Sequence, residues 1–246
     1  MLSRARYTVA LALGLALAGP ATTFAGVAAP CDDAIVDSVL DQVGAPDDGR
    51  VRASACAPIG GPHGLVAVAV AFERVGYDWR SSPDLPVHVA WYDPRVERVV
   101  ASGRADIGED AATQVDSDSL TWEAVPGLGR DAAALVVNDS ILTWAMDGDT
   151  GPTWALFVAD GPRLQAVVGP AMLSYARCSR SCRDADESER HTRTLSLAPA
   201  RGSVPHHGLR DLVATLRDST RRAPTRQQLH FDGHRYVPEV DRLVAP

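Results

Sequence analysis

Residues 132–172 constrain this chain more than any other stretch, because three apolar segments follow one another there at hairpin distance. AALVVND, LTWAM and TWALFVA, the last running on to RLQAVV, are apolar throughout or alternate with polar residues. Residues 147–151 and 160–162 separate them with the Asp, Gly and Pro that tight turns use. Three strands of this kind give a sheet with one apolar face, which is enough to nucleate a domain. The remaining apolar segments repeat the pattern. The chain therefore reads as mainly β and antiparallel, a sandwich or a partly open barrel with one short N-terminal helix.

The first residues stand apart from that fold. Arg4 and Arg6 precede an apolar run over 9–18, Gly19 and Pro20 break it, and small residues follow with cleavage triplets at 23–25 or 26–28. This order predicts a secretory signal peptide over 1–25, since the run is well short of the ~20 residues that a bilayer requires. Cys31 follows Ala29 and Pro30, and a proline is out of place before a lipid-modified cysteine. The expected organisation is the leader, an N-terminal helix with a disulfide clip over 26–58, and a β-rich domain over 59–246. The expected location is the periplasm or the medium, with no stable membrane insertion after cleavage.

Charge narrows the partners. The formal net charge is −7, and removing the leader takes away two arginines and no acids. Nucleic acid and anionic lipid both require clustered cations, so neither is an expected partner. All 24 basic residues are arginine, a bias that a GC-rich genome accounts for.

Four cysteines, Cys31, Cys56, Cys178 and Cys182, remain after cleavage, and an even number in an exported chain reads as two disulfides. Of three pairings, proximity favours Cys31–Cys56 with Cys178–Cys182. The chain-entropy model gives roughly 3 kcal/mol for the first and about 2 for the second. Metal ligation fits less well: Cys-x-x-x-Cys is not the thioredoxin spacing, and no histidine stands at zinc-finger distance.

Along the chain, Ile35, Val36, Val39, Leu40 and Val43 recur at helical spacing. Asp32 or Asp33 caps the start, and residues 44–46 (Gly-Ala-Pro) stop the helix. LVAVAVAF, residues 65–72, is a central strand buried on both faces. PVHVAWY and VERVVASG form a hairpin about 93–95, with Val87, Val89 and Trp91 on one face and His88, Ala90 and Tyr92 on the other. Residues 106–119 read as a long acidic connection and 120–125 as a short strand. The charged middle of residues 174–192 reads as a solvated loop or hairpin tip held by the second disulfide, and RTLSL as a strand. Residues 208–217 fit a helical stripe and a strand alternation alike, with the β-rich surroundings favouring strand. QQLHF and HRYVP close the chain as a hairpin about Asp232 and Gly233.

Several of these segments together, VVAS, TWALFVADGPRL, RTLSL, DLVATLR and LHFDGHRYV with the acidic stretch before Leu120, make most of the mature chain similar to exported, β-rich proteobacterial proteins of uncharacterised activity. That resemblance implies one exported β-rich domain and assigns no activity or catalytic residue.

Candidate chemistry is sparse. His230 and His234 would form a metal pair on a helix, but across a two-residue hairpin they point to opposite sides of the sheet. His206 and His207 are adjacent in a loop and diverge. Asp147, Asp149 and Gly151, and more faintly Asp116 and Asp118, suggest a calcium loop, yet the twelfth position from Asp147 is Val158 on a strand, so a hairpin tip fits better. No Gly-x-Ser-x-Gly elbow, His-Glu-x-x-His or phosphate loop is present. A site assembled from Ser174 with His191 or His206 stays open. Trp91, Trp122, Trp144 and Trp154 lie in phase with core aliphatics, whereas Trp79 sits in a polar loop with Tyr77 and Arg80. Loops carry binding residues disproportionately. The chain is therefore expected to be a non-enzymatic exported module, without cofactor or metal. It binds an envelope or extracellular protein or glycan through Tyr77, Trp79 and Arg80, with a hydrolase of unrecognised type as the alternative.

Overall fold

The structure, a computed structural model, describes residues 31–240 apart from 60–63, 79, 82–83, 110–112, 130–131, 139, 142–147, 179–185 and 187–189. The expected leader, Trp79, Trp144, Cys182 and the LTWAM segment lie outside the described residues.

Helix α1 (Asp33–Val43) forms where the sequence places it. The Asp32 carboxylate accepts from the Ala34 N–H at 2.9 Å, and Gly44 takes a left-handed conformation at φ 70°. These are the two ends a free-standing helix needs satisfied. The Cys31–Cys56 disulfide then ties the helix start to the first strand.

Eight strands form one curled sheet, in the order β1 (Gly49–Pro58), β2 (Val66–Arg74), β3 (Asp84–Asp93), β4 (Arg98–Gly108), β11 (Arg163–Met172), β10 (Thr153–Asp160), β7 (Ala132–Val137) and β6 (Leu120–Ala124). Alternation puts Ala67, Ala69, Ala71, Val87, Val89 and Trp91 inside the curl. Val68, Val70, Ala90 and Tyr92 face outward under Val36 and Val39 of α1. That double burial is why residues 65–72 read as a continuous apolar run. Alanines at 53, 55, 67, 69, 71, 101, 133 and 155 line the interior and leave room for three large rings. Trp122 meets Trp91 at 5.5 Å and Phe157 at 6.2 Å, both edge-on, the arrangement that ring quadrupoles favour. Its Nε1 donates to the Ala55 carbonyl at 3.1 Å, joining β6 to β1 and nearly closing the barrel.

A second sheet runs β16 (Tyr236–Val237), β15 (Thr225–Phe231), β14 (Leu212–Asp218), β13 (Arg190–Pro199), β12 (Ser174–Cys178) and β9 (Gly148–Thr150). Leu195, Leu212, Ala214, Leu229 and Phe231 from it pack with Ala134, Val136, Trp154, Leu156 and Val158 on the outer face of β7 and β10. A short pair, β5 (Thr113–Gln114) with β8 (Ser140–Ile141), stands beside the two sheets. The fold is mainly β with one helix, combining a partly open barrel and a packed second sheet.

Several expectations hold. Trp91, Trp122 and Trp154 are core, the Cys31–Cys56 bond is present, and 212–218 is strand. Cys178 is disulfide-bonded too. Three expectations change. Residues 148–150 are an edge strand pairing with β12 rather than a turn, and β7 pairs directly with β10, so the 132–172 stretch is split among all three sheets. The Asp and Gly there resemble turn chemistry, but Gly151 is needed for contact: a Cβ on it would lie 1.7 Å from Ser174 Oγ. The acidic connection begins later than expected, because β4 continues to Gly108 opposite Asp84. The last hairpin has a four-residue loop, so His230 faces Val237 and Phe231 faces Tyr236. Asp232 caps that loop by accepting from the His234 and Arg235 N–H groups.

Candidate functional site

Strand register fixes one end of the barrel as the loop-bearing end. Gly49 lies opposite Arg74, Asp84 opposite Gly108, Thr153 opposite both Met172 and Val137, and Leu120 opposite Val137. The connections 75–83, 109–119 and 138–152 all leave from that end.

At the same end the barrel wall parts. β4 and β11 run parallel and pair only through Ser102 and Arg163, where the Ser102 N–H also donates to the Pro162 carbonyl at 3.0 Å. Gly103 permits that approach, since a Cβ there would sit 2.5 Å from the Leu164 carbonyl oxygen. Beyond it the strands diverge and leave a cleft of about 380 Å³. Ala105, Ile107, Leu135, Val137, Ala155 and Phe157 line it, all of them facing the barrel core. Arg104 and Asp106, paired with each other at 2.7 Å, also border it. The volume lies within the usual range of small-molecule sites, and a mainly apolar lining with a few polar groups is their usual chemistry.

A buried polar network closes the neighbouring part of the loop end. Glu109 is only 3% exposed. It accepts from Tyr77 Oη at 2.8 Å and from the Val115 N–H at 2.8 Å, with Arg52 Nη2 at 3.4 Å. Arg52 also reaches Glu73 at 2.6 Å and donates to the Val115 carbonyl at 2.6 Å. A charge so enclosed is tolerable only with this many partners. Burial, then the bond to Glu109, pushes the Tyr77 hydroxyl well above the ordinary tyrosine range. Burial works against ionisation of Glu73, yet Arg52 and Arg50 outweigh it and hold the carboxyl below its usual value.

Of the three residues expected to bind, Tyr77 is placed by this network, partly buried against the barrel core. Arg80 is exposed in the following turn, its N–H donating to Asp78 Oδ1 at 3.1 Å. Trp79 lies outside the described residues. The sequence reading missed Arg52, Glu109 and the cleft. A period-two signal existed, because Arg104, Ala105, Asp106 and Ile107 alternate, but it was absorbed into the acidic stretch that follows.

The histidines make two pairs with acids. His191 Nε2 lies 2.8 Å from Asp218 Oδ1, and His230 Nδ1 lies 3.0 Å from Asp211 Oδ2, which also accepts from Gln228. Neither pair is completed by Ser174. Ser174 stands opposite Thr194 while His191 stands opposite Arg177, so the serine and the imidazole project to opposite faces of the sheet. The hydroxyl that does join the first pair, Thr220 Oγ1, donates to Asp218 rather than to the imidazole. Thr220, His191 and the Thr220 N–H together hold the Asp218 carboxyl far below the usual carboxylate range. His206 bridges to Leu209 in its own turn. Among the described residues no helix is long and apolar enough to cross a membrane, and no group of three or more His, Cys, Asp or Glu is arranged to hold a metal ion. Comparison with protein-family models, with curated proteins and with solved structures gives no match.

Proposed function

We propose that this chain is an exported, non-enzymatic binding module that takes an apolar group, an acyl or aromatic moiety of an envelope component, into the cleft between β4 and β11. The observation that carries the reading is the single-pair seam at Ser102 and Arg163, which leaves core residues Ile107, Val137 and Phe157 bordering an opening at the loop-bearing end. A lining of this kind favours an apolar ligand over a bare glycan, because it offers few groups to replace the hydrogen bonds of sugar hydroxyls. Arg80, exposed in the turn after Tyr77, lies on a connection that leaves from the same end, and it supplies an outer contact.

Export is part of the proposal. It is supported by the leader-like first 25 residues and by the Cys31–Cys56 bond, which persists in oxidising compartments. The location is the periplasm or the medium. The test is titration of a fluorescent fatty-acid analogue into the purified protein and into Ala105→Phe, which fills the cleft. The reading expects one saturable site, weakened at least about tenfold by the substitution with the melting temperature kept. Absence of saturable binding, or equal binding by the filled variant, would defeat it.

A further inference from the structure

The outward face of the second sheet carries a cavity that the cleft reading does not use. It measures about 240 Å³ and is walled by Arg217 of β14, by Arg221, Arg222 and Pro224 of the turn to β15, and by hydroxyls of β13 and that turn. Register explains the grouping. Thr194 lies opposite Arg217, and the Ser219 N–H donates to the Thr192 carbonyl at 2.9 Å. These positions alternate with Leu195, Ala214 and Leu216, which face the core, so their side chains stand on the opposite, outward face.

Three guanidinium groups in one turn and its adjoining strand are out of keeping with a chain of net charge −7. Among the described residues none of the three is paired with an acid: Arg221 reaches only the Thr225 hydroxyl, at 3.5 Å, and Arg217 and Arg222 make no ion pair. The one carboxylate in the wall, Asp218, is occupied elsewhere. It accepts from the Thr220 N–H at 2.9 Å, from Thr220 Oγ1 at 2.6 Å and from Arg193 at 3.2 Å, with His191 at 2.8 Å. Its register partner is Arg193, on the core-facing side of the sheet.

We propose that this cavity is an oxyanion site for one tetrahedral phosphate or sulfate group, free or as a small monoester. Guanidinium groups bind such anions through paired N–H donors. Ser219 Oγ accepts from the Thr192 N–H at 3.0 Å, which leaves its own O–H to donate, and Thr192 and Thr194 supply further hydroxyls. At about 240 Å³, the cavity has room for a tetraoxyanion and a short ester arm. The net charge of −7 disfavours a long polyanion, so a small ligand fits better than nucleic acid. This site is independent of the apolar cleft.

The test titrates inorganic phosphate and glycerol phosphate into the full chain at constant ionic strength while following the arginine Nε–Hε resonances. Saturable shifts are expected at Arg217, Arg221 and Arg222, competed by sulfate and not reproduced by chloride. Arg217→Ala and Arg222→Ala should each weaken binding about tenfold, with the melting temperature kept because both side chains are exposed. Arg201→Ala, in an exposed turn elsewhere, serves as the unchanged control. A monoester that outcompetes the free anion assigns the spare volume to its ester arm, and equal affinity assigns the free group as ligand. Shifts that rise without saturation, that chloride matches, or that survive in the Arg217→Ala/Arg222→Ala double variant would overturn the proposal.

Discussion

The two sheets differ in how many faces they bury. The barrel sheet is covered inside by its own curl and outside by α1 on β2 and β3 and by the second sheet on β7 and β10. The second sheet buries one face and turns the other, with Arg217 and its neighbours, to solvent. Double burial leaves the barrel little tolerance, so any opening in it exposes core. Single burial leaves a polar face on which charge can gather at low cost. The apolar cleft and the cationic cavity follow from that difference.

Substitutions inside the barrel should have the largest effect. Trp122→Ala removes two ring contacts and the bond to Ala55, with an expected loss of about 3–5 kcal/mol by denaturant unfolding. Thr215→Val, on the outward face of β14, should stay within about 0.5 kcal/mol. Equal effects would erase the contrast. Next comes the Cys31–Cys56 bond, whose removal by Cys31→Ser/Cys56→Ser should cost about 3 kcal/mol. Hydrogen exchange should locate the added opening in α1 and β1, with β14 and β15 unchanged. Gly103→Ala forces a Cβ against the Leu164 carbonyl and should cost about 1–3 kcal/mol while widening the seam and altering probe affinity. Tyr77→Phe strips one donor from buried Glu109, for about 1–3 kcal/mol.

The smallest expected effect is a pH dependence on the helix-covered side. Burial, then Arg104 and Arg74, lowers the His88 pKa below its ordinary value, against a weaker opposing influence from Asp106. The folded state therefore binds fewer protons than the unfolded one just below pH 6.5. Stability from this group is full above that value and is lost as pH falls through the window down to the folded pKa. His88→Gln should flatten that slope in melting temperature against pH, and an unchanged slope would remove His88 as its source.

The same difference governs what the sequence made legible. Doubly buried strands announce themselves, as at Ala67 to Ala71, because neither face allows a polar residue there. The helix was legible from Asp32, Gly44 and the spacing of its valines. Residues 148–150 were not, because a short edge strand and a tight turn draw on the same Asp, Gly and Thr. The cleft was invisible for a different reason. It depends on β4 meeting β11, a parallel contact between strands about sixty residues apart that no local pattern encodes. Glu109 was hidden among the acids that follow it, with only its later burial setting it apart.

The central claim is that an apolar group enters the barrel through the gap between β4 and β11. Nuclear Overhauser contacts between a bound acyl-chain probe and the methyl groups of the protein test it most directly. Cross-peaks to Ile107, Leu135 and Val137, lost in Ala105→Phe, are the predicted result; cross-peaks confined to outward-facing methyls, or none at saturating probe, would contradict it.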